Sequence, residues 1–253
     1  EYLLLRNGAN PQQTALGKLD SKARCARPLL RVHDGVWGVK PRNKEQHFAL
    51  DALLDQDIRL VTLLGKAGTG KTLLAIAAGL QMTAEEESYS KMLVARPIFP
   101  LGRDIGYLPG DVGEKLNPWM QPIHDNISYL MELQRIRTGK HIGTVNELIS
   151  QGVLGLEPLT FIRGRSLPSQ YMLVDEAQNL TPHEIKTILT RAGDGTKVVL
   201  TGDPYQIDNP YVDAESNGLT YTINRFKGQA LAATVTLHKG ERSELAEIAA
   251  NLL

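Results

Sequence analysis

From residue 43 onward, short unbroken apolar runs alternate with longer stretches in which apolar residues recur every three or four positions. The runs at Arg59 to Leu64, Met92 to Ala95, Leu159 to Ile162, Tyr171 to Val174, Val198 to Thr201 and Ala232 to Leu237 have the length and low polarity of strands buried on both faces. Helical spacing predicts a first helix after Asn43, with Ala49, Leu50, Leu53 and Leu54 along one side. It predicts further helices over Thr72 to Gln81, Leu116 to Leu133, Val145 to Gln151, Pro182 to Arg191, Leu219 to Phe226 and Ser243 to Leu253. Asn43 is a suitable N-cap, and Thr181 followed by Pro182 supplies a cap and a first-turn proline. Strands alternating with helices predict an α/β fold, a mainly parallel sheet with helices on both faces. Residues 1–41 mix Gly, Pro, Gln and basic residues without a sustained period. They are expected to form a poorly ordered or strand-containing lead-in to a domain over residues 42–253.

Composition narrows the class. The chain has 253 residues, 42% of them hydrophobic, which is enough for a sizeable core and excludes a disordered or collagen-like chain. Lys plus Arg and Asp plus Glu both number 28, so the average field favours neither nucleic acid nor membrane, and any polyanion site must be local. The first 44 residues carry nine basic and three acidic residues, as a charged linker also would. Cys25, the single cysteine, cannot close a disulfide within the chain or make a zinc pattern, so a reducing compartment, the cytoplasm, is expected. The longest apolar stretches, such as Leu73 to Ala78, fall far short of the roughly 18 residues of a membrane span. No membrane association is expected, and no basic-then-apolar leader opens the chain. The first residue is Glu1 rather than Met, which leaves an upstream domain open.

The candidate chemistry lies at the ends of the predicted strands. Gly65-Lys66-Ala67-Gly68-Thr69-Gly70-Lys71-Thr72 fits the phosphate-binding pattern G-x-x-x-x-G-K-[ST] between a strand and a helix. Glycines allow backbone N–H groups to surround a phosphate, Lys71 reaches the terminal phosphates, and the Thr72 hydroxyl is a ligand for Mg²⁺. Asp175 and Glu176 end another apolar strand. In a phosphate-loop ATPase such a pair divides the work: Asp175 faces the metal and Glu176 polarises the attacking water. A third strand ends in Thr201-Gly202-Asp203-Pro204-Tyr205-Gln206, where Asp203 is expected to tie the loop down and Gln206 to sense the γ-phosphate.

Taken in order, Asn43-Lys44-Glu45-Gln46, the phosphate loop, Asp175-Glu176-Ala177-Gln178 and Gly202-Asp203-x-x-Gln206 resemble the motifs of superfamily 1 helicase-type ATPases. Together with Arg96-Pro97, Gly106-Tyr107-Leu108-Pro109-Gly110, Arg163-Gly164-Arg165-Ser166 and Glu241-Arg242-Ser243, the set resembles the PhoH family, especially the ATPase half of PIN-PhoH fusions. The resemblance implies a RecA-like P-loop NTPase that hydrolyses ATP with Mg²⁺, acts on RNA and works with an upstream PIN ribonuclease domain. It implies that Gln46 reads the adenine edge, for which an amide offers both a donor and an acceptor. Only 47 residues follow Gln206, too few for a second RecA-like domain. A neighbouring copy is therefore expected to complete the site, with Arg242, or Arg225 in its place, acting in trans in a head-to-tail ring such as a hexamer. Arg96, Arg103, Arg163 and Arg165 with Tyr107 are the candidate contacts for single-stranded RNA. The rival reading is a nucleotide-gated clamp with little turnover. A GTPase is disfavoured because no Asn-Lys-x-Asp element is present, and the six histidines show no metal-binding spacing.

Overall fold

Six parallel strands form one sheet in the order β6-β5-β7-β8-β4-β9. The computed structural model describes residues 1–20, 24–30, 35–97, 112–139, 143–162 and 164–241, with only the backbone of 112–118, 160 and 161. The strands are β4 (Leu60–Gly65), β5 (Lys91–Ala95), β6 (Leu154–Leu156), β7 (Gln170–Val174), β8 (Lys197–Gly202) and β9 (Ala232–Leu237). Along each central strand successive side chains enter opposite core layers, as a period of two requires. Leu63, Leu173 and Val199 join α1 (Lys44–Leu54), α2 (Lys71–Leu80), α3 (Val112–Thr138) and α4 (Val145–Ser150) on one face. Leu93, Met172, Val198 and Leu200 join α5 (Pro182–Leu189) and α6 (Gly218–Phe226) on the other. Both faces are covered, which accounts for the unbroken apolar runs.

The strand order positions the site. β8 lies between β4, which leads into the phosphate loop, and β7, which delivers Asp175 and Glu176. The sheet runs to β6 on one side of β4 and to β9 on the other, so β4 adjoins a switch point, where open α/β sheets place ligands at the carboxyl ends of their strands.

One expectation is corrected. Leu159–Ile162 is a 3₁₀ turn rather than a strand, and the sheet edge is β6, which begins five residues earlier in the chain than that run. Glu157 donates the last edge bond, to the Val94 carbonyl at 3.1 Å. Pro158 has no N–H with which to continue the ladder, and the chain leaves the sheet there. The lead-in contains three strands, β1 (Tyr2–Arg6), β2 (Thr14–Asp20) and β3 (Cys25–Pro28), paired antiparallel in a sheet of their own. Its later part enters the core, where Val36 and Trp37 are each 2% exposed. The helix expected at Ser243 to Leu253 lies outside the described residues. Among those residues, no helix is long and apolar enough to cross a membrane.

Candidate functional site

The phosphate loop leaves β4 through Gly65, whose φ is +151° and where a Cβ would collide with the Leu237 carbonyl. Gly70, at φ +91°, starts α2 from the left-handed region with no side-chain cap, so the helix N-terminus stays open toward the loop. The loop is braced from several sides. Lys71 Nζ donates to the carbonyls of Gly65 at 2.6 Å and Lys66 at 3.0 Å. Thr69 Oγ1 also donates to Lys66 O, at 2.9 Å. Glu241 N donates to Gly68 O at 2.9 Å, and Gln46 Nε2 to Thr69 O at 3.1 Å. Four loop carbonyls thus accept from protein donors, which turns the peptides so that N–H groups serve an anion. Of the remaining loop residues, Lys66 is exposed and Ala67 half-buried.

Asn43 caps α1 by accepting from Gln46 N at 2.9 Å, and its amide donates to Glu241 Oε1 at 3.1 Å. Gln46 is buried, and its Oε1 accepts from Arg42 N at 2.8 Å. Two of the four hydrogen-bonding positions of this amide are thus used among the described residues, and a base edge needs one donor and one acceptor. The cap, the amide and the loop therefore form one assembly at the head of α1.

Because β8 separates β4 from β7, three side chains meet at their ends. Asp175, 4% exposed, accepts on Oδ1 from Thr72 Oγ1 at 2.7 Å and from Thr201 Oγ1 at 2.6 Å. One carboxylate and a hydroxyl are hard oxygen donors of the kind Mg²⁺ takes when phosphate and water fill the rest of its shell. Among the described residues no cluster of three or more His, Cys, Asp or Glu is arranged for a metal, so any cation here relies on such outside ligands.

Glu176 follows in the left-handed region, at φ +55° and ψ +40°, a costly conformation for a non-glycine residue. Its Oε1 lies 3.4 Å from Arg96 Nη2. Its Oε2 accepts from Gln178 Nε2 at 2.7 Å. Gln178, 1% exposed, also donates to Gln206 O at 2.8 Å and accepts from Asp203 N at 3.2 Å. A Cβ at position 202 would strike Gln178 Oε1, so Gly202 gives that amide its place. Asp203 does tie its loop down, accepting from Tyr205 N at 3.1 Å. The Gln206 side chain is exposed, and among the described residues the contact that holds it is through its backbone, to Gln178 and Asp203.

The structure therefore gathers Lys71, Thr72, Asp175, Glu176, Gln46 and the backbone of Gln206 at one end of the sheet. It adds Thr201, Gln178 and Glu241, to which sequence reasoning gave no individual role. Thr201 is a polar residue ending an apolar run, but only the strand order brings it to Asp175. The candidate RNA residues are less united. Arg96 pairs with Glu176, and Arg165 pairs instead with Glu157, which also meets Lys91. Arg225 lies over the Tyr221 ring, 5.2 Å from its centroid, within α6. Arg103, Tyr107, Arg163 and Arg242 lie outside the described residues.

Comparison with known proteins places this arrangement in a family. Residues 38–251 match the model of the PhoH-like protein family. Protein PhoH2 of Bacillus subtilis is 50% identical over 254 residues, covering 100% of this chain and 56% of its own length. Protein PhoH2 of Mycolicibacterium smegmatis is 40% identical, covering 94% of this chain and 52% of its own. The chain thus spans about half the length of the curated relatives it matches. Among solved structures, the large terminase of bacteriophage HK97 aligns at a TM-score of 0.48 and 10% identity, over 81% of this chain and 41% of its own. With its phosphate loop set in a parallel sheet of RecA-like strand order, this P-loop NTPase chain belongs to the PhoH family.

Proposed function

We propose that this chain binds Mg²⁺-ATP, hydrolyses it, and couples turnover to single-stranded RNA. The observation that supports this most is the Asp175 carboxylate, shared by Thr72 of the phosphate loop and Thr201 of the intervening strand, with Glu176 next in the chain. Lys71 and the loop N–H groups bind the β- and γ-phosphates, Gln46 reads the adenine, and Asn43 holds Gln46 through the helix cap. Thr72 and Asp175 hold the metal, which when bound neutralises charge on the phosphates. Glu176 accepts the proton of the water whose oxygen forms the new bond to the γ-phosphorus as the bond to ADP breaks. Gln206 contacts the γ-phosphate and reports its loss to the loop it sits on.

A single-stranded polymer is proposed because Arg96, Arg103 and Tyr107 follow β5 in the chain, where strand ends form ligand sites, and Arg163 and Arg165 follow the 3₁₀ turn. Such a set of cations and an aromatic suits phosphates and a stacked base; that the polymer is RNA is taken from the family resemblance. The full-length protein is proposed to join this domain to an upstream PIN ribonuclease domain and to assemble as a ring in which Arg242 completes a neighbour's site. The deciding measurement is phosphate release with RNA, with single-stranded DNA and with no polymer, alongside Glu176→Gln. RNA-stimulated release that disappears in the variant is the expected result. Tight ATP and RNA binding without release establishes the clamp instead.

A further inference from the structure

Glu176, the proposed base, does not stand free: each of its carboxylate oxygens has its own partner. Oε2 accepts from Gln178, whose amide is buried and also engaged by Gln206 O and Asp203 N. That half is fixed, because moving Gln178 would break the bonds that hold the 203–206 loop. Oε1 faces Arg96 at 3.4 Å, and the two side chains are 22% and 36% exposed, Arg96 first. An ion pair that long and that accessible is a weak one. Arg96 is therefore the releasable half.

The backbone explains why these two residues meet. β5 and β7 are neighbours in parallel register, with Ala95 opposite Val174, and Asp175 N donates to Ala95 O at 3.0 Å. The residues just beyond, Arg96 and Glu176, leave adjacent strand ends together. Arg96 precedes Pro97, which restricts its backbone to extended conformations. Only the side chain is left to exchange partners, and a guanidinium suits a phosphate oxygen pair as well as it suits a carboxylate.

We propose that Arg96 is a positioning residue that holds Glu176 at rest, and that the backbone phosphates of a single-stranded RNA draw Arg96 away and free Glu176 to orient the attacking water. The inference rests on the reading of Glu176 as the base. It makes polymer stimulation a competition between two anions for one arginine, with the nucleic acid winning through the many contacts it makes at once.

The test is steady-state ATP hydrolysis with and without oligo(U) RNA in the unaltered chain, Arg96→Ala, Arg96→Gln, Arg96→Lys and Glu176→Gln. Arg96→Ala and Arg96→Gln are expected to hydrolyse ATP without RNA at about the rate the unaltered protein reaches with it. That is a rise of about tenfold or more in kcat, part of the roughly hundredfold to ten-thousandfold that a positioned base supplies, with KM for ATP unchanged and the response to RNA lost. Arg96→Lys, which keeps the charge, is expected to restore RNA dependence. A basal rate that stays level or falls in both neutral variants overturns the inference, as does an undiminished RNA response in them or no stimulation of the unaltered protein. Glu176→Gln separates the two levels. Full activity in that variant removes the base assignment itself, whereas an inactive Glu176→Gln beside unchanged Arg96 variants removes only the restraint.

Discussion

Two hydroxyls converge on a single oxygen of Asp175, and they do different work. Thr72 opens α2 and belongs to the phosphate loop, whereas Thr201 is wholly buried in β8, where its hydroxyl is placed to aim the carboxylate. Thr201→Val keeps the shape and removes the hydrogen bond. It is expected to leave ATP binding in the absence of metal unchanged while raising the Mg²⁺ concentration for half-maximal hydrolysis by about tenfold or more, the usual cost of losing a ligand-orienting group. A magnesium titration of phosphate release checks this. Lys71→Ala deletes the charge proposed to face the terminal phosphates without opening a core cavity. It is expected to lose most nucleotide affinity at unchanged thermal stability, measured by calorimetric titration with ATP. Of these residues, Lys71, Thr72, Asp175 and Glu176 are legible in the sequence because their chemistry is encoded in local spacing. Thr201 and Gln178 are not, because their partners are supplied by neighbouring strand ends and a loop some 25 to 30 residues distant in the chain.

At the scale of elements, α1 joins the phosphate loop at one end to the base of the sheet at the other. Its N-terminal turn carries Asn43 and Gln46. At its C-terminal end the carbonyls of Ala52 and Asp55 accept from Lys197 Nζ at 3.1 and 2.8 Å. Lys197 has no exposed surface, and burial pulls its ammonium down from 10.5 to about 7, with Arg59 adding to the shift and Asp55 opposing it. The unfolded chain therefore keeps this proton up to pH values near 10.5, whereas the folded chain releases it near 7. Between these values the unfolded state binds more protons, so stability rises with pH; below about 7 both states hold the proton and the cost is full and constant. Urea unfolding at pH 7 to 9 is expected to show a slope from this group approaching about 1.4 kcal/mol per pH unit. Lys197→Met should flatten that slope, and an unchanged slope would remove the assignment. The same scale shows what the hydrophobic pattern conveys and what it does not. Runs of apolar residues locate five of the six strands of the parallel sheet, four of them because strands covered on both faces are largely apolar, and the edge strand β9 although its buried Val235 and Leu237 alternate with exposed Thr234 and Thr236. The short Leu154–Leu156 segment, interrupted by Gly155, carries too little pattern to be seen, and Leu159 and Ile162 are apolar because they join the core layer of Leu93 and Ala95, with Ile162 1% exposed. The docking of the lead-in is invisible for another reason. It depends on Asp51 of α1 accepting from Tyr2, Lys18 and Leu30 N, polar contacts made across 21 to 49 residues.

For the whole molecule the open question is what faces the γ-phosphate from outside. A phosphoryl transfer gains about a thousandfold or more from an arginine supplied in cis or in trans. Arg242 follows Glu241, which binds the loop through Gly68 O and the α1 cap through Asn43. This contact ties the end of β9 and the segment beyond it to the nucleotide site, so a neighbour that engages the segment would sense the same loop. In the proposed head-to-tail ring, Arg242 of one copy reaches the phosphate held by the next, and such an interface closes naturally on itself. Arg242→Ala is then expected to bind ATP normally and hydrolyse it about a thousandfold more slowly. Glu176→Gln is expected to be inactive for its own reason. Mixing the two should restore part of the activity, because some interfaces then combine an intact Glu176 with an intact Arg242. Absence of recovery at every mixing ratio would assign Arg242 to the site of its own chain, where Glu241 already touches the loop. A chain that sediments as a monomer while hydrolysing ATP at a specific rate independent of its concentration would remove the ring from the mechanism altogether.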